Sequence, residues 1–419
     1  MGRKKKNAAT RADASTEAEV EDDFAAEALQ EQELEDGGAD ARGRLQACQD
    51  GLLEQRAATR EQAATELARL LAYCAADAED ELRAASRSVT KLLCGCLRHG
   101  KPREGCLAAR GLALVVAVVG PDDGAAVLAD ARPRLERAIS DATEAPATAG
   151  AALEALAICT FVAAAEEPEA VCAVWASAAL LLGDARPVPA RAALRATALL
   201  ATVLDDDELR DRFDDAVQAC DELLLRPDSE TRGLAGTLCA VLATSEGTAD
   251  LTMPDTVDAR LHELALGSDA GVRHHTARDV LKRQRSHFRN VEAAVATGDE
   301  GEPEELTIEG AHLEFATWTD RVRLQMFRRL LGGGLQSHLA RNHLLRDVFE
   351  LGDPDLQVNA HGVEVERQAE GEYKLSAQEK RMLRGKGSSK AKARDKSRSS
   401  RRDDLDRERG GAFFGCGDE

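Results

Sequence analysis

Aromatic side chains are scarce in this sequence, thirteen among 419 residues, and β-branched residues are outnumbered by alanine and leucine. Strands draw on aromatic and β-branched side chains, whereas alanine and leucine are the strongest helix formers. A β-rich fold is therefore excluded, and the globular part is expected to be all-α. Long apolar runs are missing as well. The longest, Leu112–Val119, has eight residues, against the roughly 20 that a membrane-spanning helix needs. The opening MGRKKKN lacks the apolar core of a signal peptide. After Gly2, Lys6 stands where a myristoylation motif wants Ser or Thr. These absences lead to the expectation of a soluble intracellular protein, cytoplasmic and/or nuclear, with no membrane partner.

Catalytic motifs are also lacking. There is no G-x-S-x-G elbow, no G-x₄-GK[ST] phosphate loop and no G-x-G-x-x-G after a strand. Gly332-Gly333-Gly334 has no following Lys-Ser/Thr and reads as a helix C-cap and hinge. Asp205-Asp206-Asp207 reads as a solvated inter-helix turn. Ten cysteines are too dispersed for a disulfide scaffold, and Cys159 and Cys239 fall in apolar helical patterns, as buried thiols do. Cys94, Cys96, His99 and Cys106 offer four zinc-ligand atoms. Their C-x-C spacing departs from the usual C-x₂₋₄-C pairing, so they too read as core thiols. His274 and His275 are adjacent and diverge by about 100° on a helix. His338 and His343 are five apart, which is also a poor ligand pair, and both read as surface or capping histidines. The expectation is a non-enzyme with no metal, no cofactor and no small-molecule substrate.

What the sequence does have is charge in blocks and a repeat. The formal net charge is −20, and residues 13–40 hold twelve acids with no Lys or Arg. Such a block repels itself, so residues 1–41, which begin with Arg3, Lys4, Lys5 and Lys6, are expected to be a disordered arm. From Arg42 the pattern turns helical and recurs. The stretches Arg60–Leu71, Arg232–Ala243 and Arg273–Gln284 each open with Arg, place small residues three and four positions on, and put an apolar residue at the seventh. Looser copies begin near Arg103, Ala147 and Arg191, and successive starts differ by 41 to 44 residues. That period belongs to HEAT and armadillo repeats, paired helices that bury their faces by stacking on neighbours. Residues 42–291 are therefore expected to form a helical-repeat solenoid, and the polar stretch 292–304 a linker.

A small, mostly helical C-terminal domain is expected over 305–354. It comprises a hairpin around Gly310, an amphipathic helix over Trp318–Leu331, and a second helix over Leu335–Leu351 stopped by Gly352 and Pro354. Phe288, Phe315, Trp318, Phe327 and Phe349 lie here, enough either to pack a mini-core or to cap the solenoid. Residues 355–419 read as a basic, largely disordered tail: from Lys374 to Arg402 there are twelve Lys or Arg against two acids.

Two basic features stand out from the acidic background. On a helical wheel of residues 272–291, Phe288 and Val291 share an apolar face with Ala277, Val280 and Leu281. Arg278, Lys282, Arg285 and Arg289 form a separate stripe about 110° around. The stripe carries no interleaved aromatics, which suits phosphates better than bases. In the tail, Lys380, Arg381, Arg384, Lys386, Lys390, Lys392, Arg394, Lys396, Arg398, Arg401 and Arg402 are the further RNA- or phosphate-binding candidates.

At LKRQRSHFRNVEAAVATGDE (281–300) and LLRDVFELGDP (344–354) the chain resembles the interferon-related developmental regulators. FATWTDRVRLQMFRRLLGGGLQSHL (315–339) resembles that family's C-terminal domain, Arg42–Leu281 its helical-repeat domain, and KAKARDKSRSSRRD (390–403) its basic end. His343 departs from the acidic residue usual there. The resemblance implies a non-enzymatic regulator of gene expression. Two partners fit: the ribosome and its RNA, in translational regulation, or chromatin and co-repressor proteins bound in the solenoid groove, in transcriptional co-regulation.

Overall fold

Proline opens four of the helices. Its ring presets φ at the first helical residue, where the missing N–H would be unsatisfied in any case. Pro102, Pro146, Pro168 and Pro187 each stand at such a position. The computed structural model describes residues 41–73, 75–267, 278–308, 311–351, 356–358 and 364–366. In it the helices form successive pairs. Helix α1 (Ala41–Leu52) packs with α2 (Ala57–Tyr73), and α3 (Ala75–His99) with α4 (Pro102–Ser140). Helix α4 is broken at Gly120, whose φ of 80° and ψ of −175° only glycine adopts without strain, and its second half leads to α5 (Pro146–Ala163). Then α6 (Pro168–Leu182) packs with α7 (Pro187–Ala201). Short α8 (Asp206–Asp211) and α9 (Phe213–Leu223) precede α10 (Ser229–Thr244), and α11 (Asp255–Leu266) packs with α12 (Arg278–Thr297). This is an all-α, HEAT/armadillo-like solenoid.

Helices α2, α4, α5, α7, α10 and α12 touch in succession and make an inner row. The repeat period returns as the spacing of the side-chain bonds that join neighbours. Arg60 reaches Glu104 at 2.6 Å, Arg191 reaches Asp228 at 2.9 Å, Arg195 reaches Glu154 at 2.8 Å and Arg210 reaches Asp250 at 2.6 Å. Those partners lie 37 to 44 residues apart. Small residues allow the close approach: a Cβ on Gly236 would stand 3.0 Å from the Phe288 ring. Helices α4 and α5 are long and apolar enough to cross a membrane, by length and composition, which run length alone did not suggest. Here their apolar side chains, among them Val115, Val116, Leu153 and Leu156, are buried against neighbouring helices. Cys159, Cys220 and Cys239 are fully buried, as small hydrophobes. Asp205 caps α8 by accepting from the Glu208 amide, so the triple aspartate is a helix start.

Past α12, which runs six residues beyond Val291, the chain forms a hairpin of β1 (Glu304–Ile308) and β2 (Ala311–Phe315), paired from Glu304↔Phe315 to Ile308↔Ala311. Helix α13 (Trp318–Leu331) starts with a capping box between Thr317 and Asp320. A 3₁₀ turn, Gly332–Gly334, follows. A Cβ on Gly334 would come within 1.9 Å of the Ala72 carbonyl oxygen, so the backbone itself docks on α2. The expected single helix over Leu335–Leu351 is two, α14 (Leu335–Arg341) and α15 (His343–Val348). Asn342 breaks it: its side chain caps α15 by accepting from the Leu345 amide and donates to the Ala117 carbonyl at 3.0 Å.

These elements belong to the same compact unit as the repeats. They run back along the inner row. Trp318 meets His287 edge-on, Arg323 donates to the Thr202 carbonyl (2.8 Å), and Arg329 pairs with Glu154 (2.9 Å). Arg110 donates to the Leu330 carbonyl (3.0 Å), and His338 donates to the Leu71 carbonyl (3.1 Å). His338 is therefore core, 1% exposed, and not the surface or capping residue its sequence position suggested; His343 is exposed. The aromatics are divided: Phe288 and Trp318 pack at α12, the last helix of the solenoid, and the others lie farther back along the row. Phe315 and Phe327 both pack on Phe349, and Phe327 packs on Phe161 of α5.

A second compact unit begins at Asp355. Its described residues are the antiparallel pair β3 (Leu356–Val358) and β4 (Glu364–Glu366), set within the stretch expected to be a basic tail. The rest of that stretch, and the acidic arm, lie outside the described residues.

Candidate nucleic-acid interface

Helix α12 is fixed by its apolar face. Phe288 and Val291 are fully buried, and Phe288 lies over Gly236 of α10. His287 is held between the Gly233 carbonyl, 3.0 Å from Nε2, and the Trp318 ring. Burial lowers its pKa, so the imidazole is kept neutral. With that face pinned, Lys282, Arg285 and Arg289 are exposed, as their wheel positions suggested. Arg278 belongs to the same helix, but its side chain lies outside the described residues, as do the eleven tail candidates from Lys380 to Arg402. Arg283, beside the stripe, is exposed too, and the wheel did not single it out. Arg285 folds over Gly267 at the end of α11: a Cβ there would stand 2.0 Å from the guanidinium Nε. Gly267 also has φ of 70°, so both its backbone and its lack of a side chain shape this corner.

Electrostatics sets the stripe apart. Along the inner row several of the solenoid's arginines are neutralised. Glu154 takes both Arg195 and Arg329, and Arg191 meets Asp228 and Glu230; outside that row, Arg260 meets Asp221. Paired arginines hold the carboxyls of Glu154 and Asp228 below the usual carboxylate range against the opposing effect of burial. Lys282, Arg283, Arg285 and Arg289 hold no ion pair or hydrogen bond among the described residues. An uncompensated cationic face on a rigid helix positions phosphates without reading sequence.

The cysteine cluster is arranged differently. Cys96 is buried beside Glu104, and burial pushes its thiol up to about 12; Cys94 is pushed up to about 11. Cys106 is buried with its Sγ facing Thr148. Thiols in these surroundings resist the deprotonation that zinc ligation needs.

The profile described as "Interferon-related developmental regulator (IFRD)" matches residues 8–296, and "Interferon-related protein conserved region" matches 342–404. The chain belongs to the interferon-related developmental regulator family. Mouse interferon-related developmental regulator 2 is 28% identical over 405 residues, covering 92% of this chain and 87% of its own length. Pig interferon-related developmental regulator 1 is 26% identical over 275 residues, covering 62% of this chain and 60% of the relative. Among solved structures, a computationally designed armadillo repeat protein for modular peptide recognition superposes with a TM-score of 0.41 at 14% identity, covering 59% of this chain and 99% of that one. Kap121p gives a TM-score of 0.44 at 13% identity, covering 73% of this chain and 31% of its own. The family's conserved region thus begins at Asn342, the residue that divides α14 from α15.

Proposed function

We propose that this family member is a non-enzymatic, ribosome-associated regulator of translation, and that the exposed edge of α12 and the basic tail lie against ribosomal RNA. The observation that carries this reading is the unpaired state of Lys282, Arg285 and Arg289 in a chain with 75 acidic residues. Helix docking does not require these cations, and no acid within the described fold neutralises them. The other reading, a transcriptional co-regulator holding chromatin-complex proteins in the solenoid groove, needs an open inner row. Helices α13 to α15 lie along that row, which favours the first reading.

The test is co-sedimentation of the full chain with purified ribosomes across a salt series. Each phosphate contact adds about 0.7 to 0.9 to the slope of log affinity against log salt. Lys282→Glu with Arg285→Glu and Arg289→Glu is expected to weaken sedimentation and flatten that slope by about two. Equal sedimentation of the variant and the parent chain at every salt concentration refutes the role of the stripe.

A further inference from the structure

A second cationic surface lies at the other end of the solenoid, on the outer side of α3. Residues 82–103 contain Arg83, Arg87, Lys91, Arg98, Lys101 and Arg103 and no acid, within a chain of net charge −20. Arg87, Lys91 and Arg98 are spaced by four and seven residues, which places them within about 40° of one another around the helix. Arg83, one turn upstream, is neutralised by Glu79, Asp80 and Asp123. Beyond it the pairing stops: Arg87, Lys91, Arg98 and His99 are exposed and hold no ion pair among the described residues.

The second half of α4 makes the opposite wall. Arg134 projects from it, exposed and likewise without an ion pair among the described residues, and one acid, Asp130, lies a turn away. The two walls flank an open groove. Cys94 links them, its Sγ 4.0 Å from the Asp130 carbonyl oxygen. Gly95 forms part of the lining, and a Cβ there would meet nothing within 4 Å. Among the described residues that line the groove there is no Phe, Tyr, Trp or large aliphatic side chain, so a peptide finds no buried anchor of the kind that dominates protein interfaces.

We infer that this α3–α4 groove is a second RNA-backbone channel, in which Lys91, Arg98 and Arg134 track phosphates and Arg87, one turn before Lys91 on the same exposed face, extends the track. From Arg87 to Arg98 the helix rises about 16 Å, enough to meet several successive phosphates. The inference rests on the RNA-binding reading above, and it makes binding bivalent. The groove belongs to the second and third helix pairs and the α12 stripe to the last, so one RNA surface must span the row to meet both. Two linked contacts bind far more tightly than either does alone.

The experiment uses the full chain and a fluorescein-labelled 20-nucleotide oligouridine, with anisotropy read across a salt series. The groove variant is Lys91→Glu with Arg98→Glu and Arg134→Glu. It is expected to lose about tenfold or more in affinity at low salt, and to flatten the salt slope by about two. Gly95→Glu, which adds a carboxylate where there is room for it, is expected to weaken binding in the same direction with the melting temperature retained. The α12 triple variant runs alongside. If it loses affinity while both groove variants bind as the parent does, the groove inference falls and the α12 reading stands. If neither site matters, both fall. A groove variant that keeps RNA binding but loses a polyglutamate peptide assigns the surface to an acidic protein and overturns the inference.

Discussion

Two sets of arginines in this molecule share a side chain and differ in everything else. On the inner row, Arg195 and Arg329 converge on Glu154, one from α7 and one from α13. On α12, Arg285 and Arg289 face water with no carboxylate among the described residues. The first set joins helices distant in sequence. The second set is fixed by a helix whose stability comes from a different face, about 110° around. Paired charge in this chain therefore joins helices, unpaired charge faces solvent, and pairing cannot be judged from composition.

The largest expected effect sharpens that division on a single helix. Phe288 is fully buried, so Phe288→Ala should cost about 3–5 kcal/mol through lost burial and the cavity it leaves. Arg285→Glu with Arg289→Glu, on the same helix, should leave the melting temperature within about 1–2 °C of the parent. Thermal melts of both variants decide. Comparable losses would mean that the stripe is a structural ion-pair face.

A somewhat smaller effect should follow pH. His338 is neutral in the fold: Nε2 donates to Leu71 and Nδ1 accepts from Asn342, and burial lowers its pKa from 6.5 to about 4. The unfolded chain takes up that proton first as pH falls. The stability this group provides is complete above about pH 6.5 and is lost progressively down to about pH 4, by roughly 3 kcal/mol in all. His338→Gln, which retains a donor toward Leu71 but does not titrate, should show a flatter stability profile between those limits in urea titrations. An unchanged profile would locate the acid sensitivity elsewhere.

The smallest effect tests the paired set directly. Glu154→Gln keeps the shape and removes the charge that two guanidiniums share, and should cost about 2 kcal/mol. A double-mutant cycle with Arg329→Gln should show coupling between the two positions, whereas the same cycle with Arg285→Gln should show none.

The repeat was legible in the sequence because it is local. Three of the periods carry their own Arg, small residues and apolar seventh position, and the looser copies keep the spacing, so the inner helices can be located without knowing what packs on them. Phe288 and the hairpin around Gly310 were legible for the same reason. His338 and Asn342 were not. Their partners, Leu71 and Ala117, lie 267 and 225 residues away, and nothing local distinguishes a histidine that will meet a buried carbonyl from one on the surface. Arg283 and the α3 groove escaped for a related reason: whether a cation has a partner is a property of its neighbours in space. The α12 stripe itself was visible, since apolar spacing alone fixes which way a helix turns its charges.

The backward course of α13 to α15 has a mechanical consequence. In an open array of repeats each unit touches only the next, so unfolding can begin at either end and proceed one unit at a time. Here one short segment reaches Thr202, Glu154, Arg110 and Leu71 in turn, and so ties the fourth helix pair to the first. Loosening one end strains contacts at the other. The array behaves less like a spring than like a truss with a tie-rod, in which the units melt together and the distance between its two ends is fixed.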